Sequence, residues 1–170
     1  MHNNMKIIKK YQLLFVLLLS VIASADYLVI PSDEDLKMPL PLPYDGKEYS
    51  ENNIKTFIDN TIAESKQPII IFGGNWCADC RILDGTFELP TVKEFMQAKY
   101  RILHIDVGRY ERNMHLFSFF GIPKEEGVPR VLVFDKQKNL LNAPSSKEWT
   151  TARDRKKQEI FNYFQDLVAD

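Results

Sequence analysis

Two cysteines occur in the 170-residue chain, three positions apart in Trp76-Cys77-Ala78-Asp79-Cys80. Upstream lies the β-type run Ile69-Ile70-Ile71-Phe72, and downstream Arg81-Ile82-Leu83 opens a helix-like stretch. A Cys-x-x-Cys set between a strand and a helix is a dithiol placed for electron transfer. Neither thiol has another cysteine in the chain to pair with. At a helix N-terminus Cys77 faces free backbone N–H groups and the positive end of the helix dipole, which favour its thiolate and lower its pKa below the ordinary ~8.5. Cys80 sits one turn further in, shielded and close enough to close the ring. Cys77 is therefore the expected nucleophile and Cys80 the resolving thiol. A zinc site built on this pair needs two more ligands. His104 and His115 are the candidates, but one falls mid-strand and the other in an amphipathic helix, so no metal is expected.

The elements that must hold this pair can be read from periodicity and breakers. Ser50 can cap a helix in which Ile54, Phe57, Ile58 and Ile62 recur at helical spacing, ended by Lys66-Gln67-Pro68. Residues 69–72 are short and wholly apolar, as in a strand buried on both faces. A helix follows over about 77–87 and breaks at Leu89-Pro90, because proline disfavours helical geometry in the residue before it. Helix 91–98, strand 100–107, helix 113–120 and strand 131–134 come next. A polar turn at 136–139 leads into Leu140-Leu141 as the return strand of a hairpin. A final helix is expected over 151–168, with Ile160, Phe161, Phe164, Leu167 and Val168 on one face. A strand–helix–strand unit implies a right-handed parallel crossover, and the closing hairpin makes the sheet mixed. The fold class is α/β: a three-layer sandwich with a mixed sheet flanked by helices.

Outside this domain, assigned to residues 50–170, two segments differ. Lys6, Lys9 and Lys10 precede an apolar stretch over 13–22 and the small-residue motif Ala23-Ser24-Ala25, the pattern of a secretory signal peptide over 1–25. The apolar part is shorter than the roughly 20 residues a membrane span needs, so no stable membrane insertion is expected after cleavage. Residues 26–49 carry Pro31, Pro39, Pro41 and Pro43 with the acidic cluster Asp33-Glu34-Asp35, and read as an extended Pro-rich arm along the domain surface. The signal removes three of 22 basic residues and none of 23 acidic ones, which leaves −4 and argues against a nucleic-acid partner. Export places the chain in a periplasmic or similar compartment where disulfides persist.

Taken together, Trp76-Cys77-Ala78-Asp79-Cys80 after an apolar strand, and Gly127-Val128-Pro129 before another, resemble the thioredoxin superfamily. Ile105-Asp106-Val107-Gly108, Asn113 and Gly121-Ile122-Pro123 resemble its exported bacterial thioredoxin-related branch. The resemblance implies a thioredoxin-like sandwich and a redox-active Cys77–Cys80 disulfide with no other cofactor. It implies that Pro129 is cis beside the dithiol, although only about 5–6% of X–Pro bonds are cis. It further implies that Val128 offers its backbone to a substrate strand, with Trp76 shaping the rim. Two positions depart from the family. The acid that thioredoxins bury in the preceding strand falls on Ile71, leaving Asp79 or water to accept the proton of Cys80. The aromatic often found three residues before Trp76 is Gly73. Between the cysteines, Ala78-Asp79 supplies no histidine to stabilise the thiolate. Asp79 opposes that thiolate and Arg81 offsets Asp79, so these three residues are expected to tune the redox poise.

The expected function is an exported thiol–disulfide oxidoreductase that reduces or exchanges disulfides in periplasmic proteins. A membrane thiol reductase would be its electron donor, and the chain is expected to be a monomer. The alternatives are a disulfide oxidase or isomerase of the same fold, and a binding module without turnover.

Overall fold

Seven consecutive residues, Gln67–Gly73, are buried and form the central strand β1. In the computed structural model, which describes residues 27–169, β1 is paired on both edges. β2, Tyr100–Asp106, runs parallel to it, with Gln67 opposite Tyr100 and Ile71 opposite His104. β3, Arg130–Val133, runs antiparallel on the other side, with Phe72 opposite Arg130. The sheet order is β2-β1-β3, mixed as the sequence implies. The signal-peptide reading of residues 1–25 lies outside the described residues.

Alternation along β1 builds the three layers, because successive side chains leave opposite faces of a strand. Ile70 and Phe72 join Ile54 and Ile58 of α1, Glu51–Ala63, and Leu116 and Phe117 of α4, His115–Phe119. Ile69 and Ile71 join Leu83 of α2, Ala78–Phe87, and Val92 of α3, Pro90–Lys99. The same cluster takes in Phe161 and Phe164 of α5, Lys157–Asp166. Ser50 caps α1 through a reciprocal box with Asn53, and Pro90 opens α3, where its missing N–H costs nothing.

Three elements differ from the sequence expectation. The hairpin return is reduced to a single bridge between Phe134 and Leu140. Half of the outer edge of β3 is satisfied instead by a side chain: Asn142 Oδ1 accepts from Val133 N–H (2.8 Å) while its Nδ2 donates to Val131 C=O (2.9 Å), the remaining Val131 N–H and Val133 C=O bonding Ser146 C=O and Leu141 N–H. The buried Asn142 amide thus replaces a strand, which no hydrophobic pattern reports. The helix expected over 151–168 is divided into a 3-10 segment, Glu148–Asp154, and α5. Arg153 N–H donates to Asp79 Oδ1 (2.9 Å), a bond from outside the helical ladder. The helix expected from Asn113 begins at His115, because Asn113 takes a left-handed φ of 52°. Its side chain spans Asp106 C=O, Lys47 C=O and Tyr49 N–H instead.

Residues 27–49 run as an extended strap. Leu28 and Ile30 N–H groups donate to Gln165 and Gln158 of α5. Glu34 accepts from Thr91 N–H and Oγ1 at the start of α3, where an anion is favoured. Leu36 and Leu40 lie against Gly85 of α2, and Tyr44 enters the core.

Asn142→Leu keeps the volume but leaves the Val131 carbonyl and Val133 N–H buried without partners. The expected loss is about 2–6 kcal/mol of unfolding free energy, at 1–3 kcal/mol for each of the two orphaned groups, measured by denaturant titration. A loss below about 0.5 kcal/mol would refute the strand-replacement role.

Candidate active site

The tight, wholly buried pairing of β1 delivers the chain into Gly74-Asn75-Trp76 and thence to α2. Cys77 is the N-cap of α2, with φ −85° and ψ 116°, and its sulfur accepts from Cys80 N–H at 3.1 Å. The two cysteines form a disulfide, their Cα atoms 5.3 Å apart. Cys77 retains slight exposure (6%) whereas Cys80 has none.

Across from the disulfide lies the loop before β3. The Val128–Pro129 peptide is cis, and the Val128 carbonyl oxygen stands 3.5 Å from Cys77 Sγ. Val128 and Pro129 are buried, with the Val128 carbonyl turned toward the dithiol. The loop is held by a residue that the sequence reading passed over. Arg130, fully buried, donates Nε to Gly127 C=O (2.7 Å) and Nη2 to Glu125 C=O (2.8 Å). A buried guanidinium keeps its charge when carbonyls satisfy its donors, and here they belong to the segment that places Pro129.

Trp76 is 41% exposed and forms the rim of the site. Its Nε1–H donates to Gly108 C=O (2.6 Å), Arg109 lies 4.6 Å over its ring, and Tyr110 meets it edge-on at 5.9 Å. Tyr110 Oη in turn accepts from Gly127 N–H at 3.0 Å, linking the rim to the proline loop.

The residues between and after the cysteines are placed differently from one another. Ala78 is exposed at the first helical position. Asp79 is 2% exposed and forms a two-pronged ion pair with Arg153, each carboxylate oxygen receiving Nε–H at 3.0 Å. Arg81 is not the cation that offsets Asp79. Its guanidinium donates to Leu40 C=O (3.1 Å) and Pro41 C=O (3.4 Å) and so fastens the strap to α2. Arg153, far along the chain, takes that role, and the pair with Asp79 raises the Arg153 pKa above its ordinary value. The charge expected to oppose the Cys77 thiolate is thus largely compensated.

The strap reaches the site at Tyr44. Asn75, inside the motif loop, clamps the Tyr44 backbone at both ends, accepting from its N–H (3.1 Å) and donating to its C=O (2.7 Å). The Tyr44 ring then fills the space beside Gly73. A Cβ on Gly73 would stand 2.3 Å from Tyr44 Oη and 2.9 Å from Cys80 Sγ. This explains the glycine found where an aromatic is common: the aromatic comes from the strap. Ile71 is buried and apolar, and no acid stands in β1. A buried acid occurs instead in α2. Asp84 is 4% exposed and 2.5 Å from His104 Nε2, and His104 is the β2 residue opposite Ile71. Burial pushes the Asp84 carboxyl above the ordinary carboxylate range, against the lowering effect of His104.

A dithiol capping a helix, facing a cis-proline loop and open only at its first sulfur, defines a thiol–disulfide oxidoreductase site. The family match and one solved structure agree with this class. A family described as Thioredoxin-like matches residues 60–136. A solved structure described as a disulphide isomerase from Xylella fastidiosa Temecula1 is 28% identical, covering 76% of this chain and 99% of that one, with a TM-score of 0.68. The oxidised C-terminal domain of DsbD from Neisseria meningitidis is 21% identical, over 64% of this chain and 98% of that one, with a TM-score of 0.43. A protein of unknown function from Pseudomonas aeruginosa is 15% identical, over 69% of this chain and 78% of that one, with a TM-score of 0.42. No curated protein matches the chain. The chain has a thioredoxin-like fold.

Gly73→Ala should displace the Tyr44 ring and cost about 1–3 kcal/mol, the usual range for overpacking. The double variant Gly73→Ala/Tyr44→Ala should lose less than the two single variants added together. Additive losses in denaturant titrations would show that the two positions do not share this space.

Proposed function

We propose that the protein is an exported reductase or exchange catalyst for disulfides in other proteins, with Cys77 attacking and Cys80 resolving. The observation that carries this reading is the asymmetry of the dithiol. Cys77 lies at the helix N-terminus with residual exposure, and Cys80 lies behind it with none.

In the forward step the Cys77 thiolate attacks a substrate sulfur, and the other substrate sulfur leaves as a thiol. Cys80 then loses its proton and attacks Cys77 Sγ, which closes the Cys77–Cys80 disulfide and releases the second substrate thiol. Substrate backbone docks beside Val128, whose N–H and C=O make no backbone–backbone hydrogen bond among the described residues. Trp76 and Arg109 form the adjoining wall.

Export rests on the basic, apolar and Ala-Ser-Ala pattern of residues 1–25. No helix among the described residues is long and apolar enough to cross a membrane. A chain that ends each cycle oxidised needs a thiol donor, and in an oxidising compartment a membrane thiol reductase can supply one. The reducing direction rests on the dipeptide: neither Ala78 nor Asp79 gives the Cys77 thiolate the cationic or donor group that makes a strong oxidant. The name of the Xylella structure favours a second reading, disulfide isomerisation by the same two thiols. Isomerisation needs the reduced dithiol as well.

Cys80→Ser should accumulate mixed disulfides with protein substrates in the exported fraction, and Cys77→Ser should not. Equal trapping by both variants would overturn the assignment of roles. Equilibration with glutathione should place the dithiol nearer thioredoxin's value of about −270 mV than the roughly −120 mV of a strong oxidant. A value at the oxidant end would overturn the reducing direction.

A further inference from the structure

Two buried polar atoms, both beside His104, have no hydrogen-bond partner among the described residues: Tyr44 Oη and Asp84 Oδ2. Buried polar groups are almost always paired, so two orphans this close together call for an explanation. The Tyr44 hydroxyl and Cys80 Sγ lie 2.3 Å and 2.9 Å from the same point, the Cβ position of Gly73, and the sum of those distances bounds their separation. Asp84 stands four residues after Cys80 in α2, on the same helix face, where Cβ atoms lie about 5–6 Å apart. His104 holds the other Asp84 oxygen and meets the Tyr44 ring edge-on at 5.3 Å. In the disulfide form no hydrogen bond joins the hydroxyl to the Cys80 sulfur. Once Cys80 is a thiol or thiolate, the same hydroxyl has an acceptor beside it.

We propose that Tyr44, carried into the redox centre by the N-terminal strap, donates a hydrogen bond to Cys80 sulfur whenever the disulfide is open, while Asp84 takes the Cys80 proton. In the resolving step the Cys80 S–H bond breaks and its proton passes to Asp84 Oδ2. The sulfur's electron pair forms the bond to Cys77 Sγ. The bond from Cys77 to the substrate breaks, and its electrons leave on the substrate sulfur. Asp84 returns the proton to solvent or to that thiolate. This gives Cys80 the proton acceptor that Ile71 does not supply, from a different element. The hydroxyl stays a donor throughout, because burial and the charges of Asp84 and Asp106 push the Tyr44 pKa well above the phenol range. Burial and the charge of Glu88 raise the Asp84 carboxyl, bringing it nearer to a thiol in proton affinity, while His104 works against them. Asn75 makes the placement rigid by gripping the Tyr44 backbone at both ends. The proposal rests on the reading of Cys80 as the resolving thiol.

The test uses the full chain and Tyr44→Phe, which removes an oxygen that has no partner in the disulfide form and so leaves stability unchanged or slightly raised. Alkylation of Cys80 against pH, in a Cys77→Ser background, should show about tenfold less thiolate at fixed pH after Tyr44→Phe, the effect of one hydrogen bond to a charged sulfur. Release of a small aromatic thiol from its mixed disulfide with Cys77 should slow by about threefold, because the thiolate that remains is more basic and more nucleophilic. Asp84→Asn should slow that release and remove the limb of its pH profile that reports Asp84 ionisation. Thiolate fractions and release rates within twofold of the parent in Tyr44→Phe would overturn the role of Tyr44, and a release rate and pH profile unchanged in Asp84→Asn, or in Asp84→Ser should the amide variant not fold, would overturn that of Asp84. Failure of Cys77 to form the mixed disulfide at all would instead overturn the proposed function, and the Cys80 titration would still decide the role of Tyr44.

Discussion

Everything at the site follows from β1 being covered on both faces and paired on both edges. Seven buried residues with neighbours on either side leave the backbone no freedom of register, since a shift of one residue would exchange its two hydrophobic faces. The end of the strand is therefore a fixed point. From it the short loop over 74–76 can only enter α2 with Cys77 as its cap. The thiol gains its helix-end environment from sheet packing, and any loss of that packing would be felt as a change in sulfur chemistry.

A second layer of order comes from polar side chains acting as backbone. Asn142 stands in for a strand along β3, Arg130 gathers the carbonyls of the proline loop, and Asn113 joins β2 to the strap. Each is buried, and each has its principal donors or acceptors satisfied by main-chain groups. These are directional bonds in a low-dielectric setting, where they select one arrangement of loops. The apolar clusters supply most of the driving force for folding, and the polar residues fix where the loops lie.

That division explains what the sequence could convey. The elements were legible because apolar spacing, Ser50, Pro90 and the Cys-x-x-Cys are local signals, and Cys77, Cys80, Trp76 and Pro129 lie in short motifs. Asp79 was legible as a charge but not as half of an ion pair, since its partner Arg153 is 74 residues away. Arg81 was assigned by proximity in sequence, yet on the helix it faces the strap. Asn142 and Arg130 look like ordinary surface residues until the fold encloses them. Tyr44 left no trace at all: it lies in a proline-rich stretch whose pattern announces only extension, and its destination is set by Asn75 and Gly73.

The pairing of Tyr44 with Gly73 also has a consequence for descent. One pocket beside the dithiol can hold one ring, and this chain fills it from the strap with a bare backbone in β1. A chain that fills it from β1 has no room for the strap's ring. Passage between the two arrangements requires changes at both positions, and each intermediate carries either a void or a collision. The two residues should therefore be inherited together, so that among relatives a small residue at the end of β1 marks lineages whose leader has become part of the enzyme.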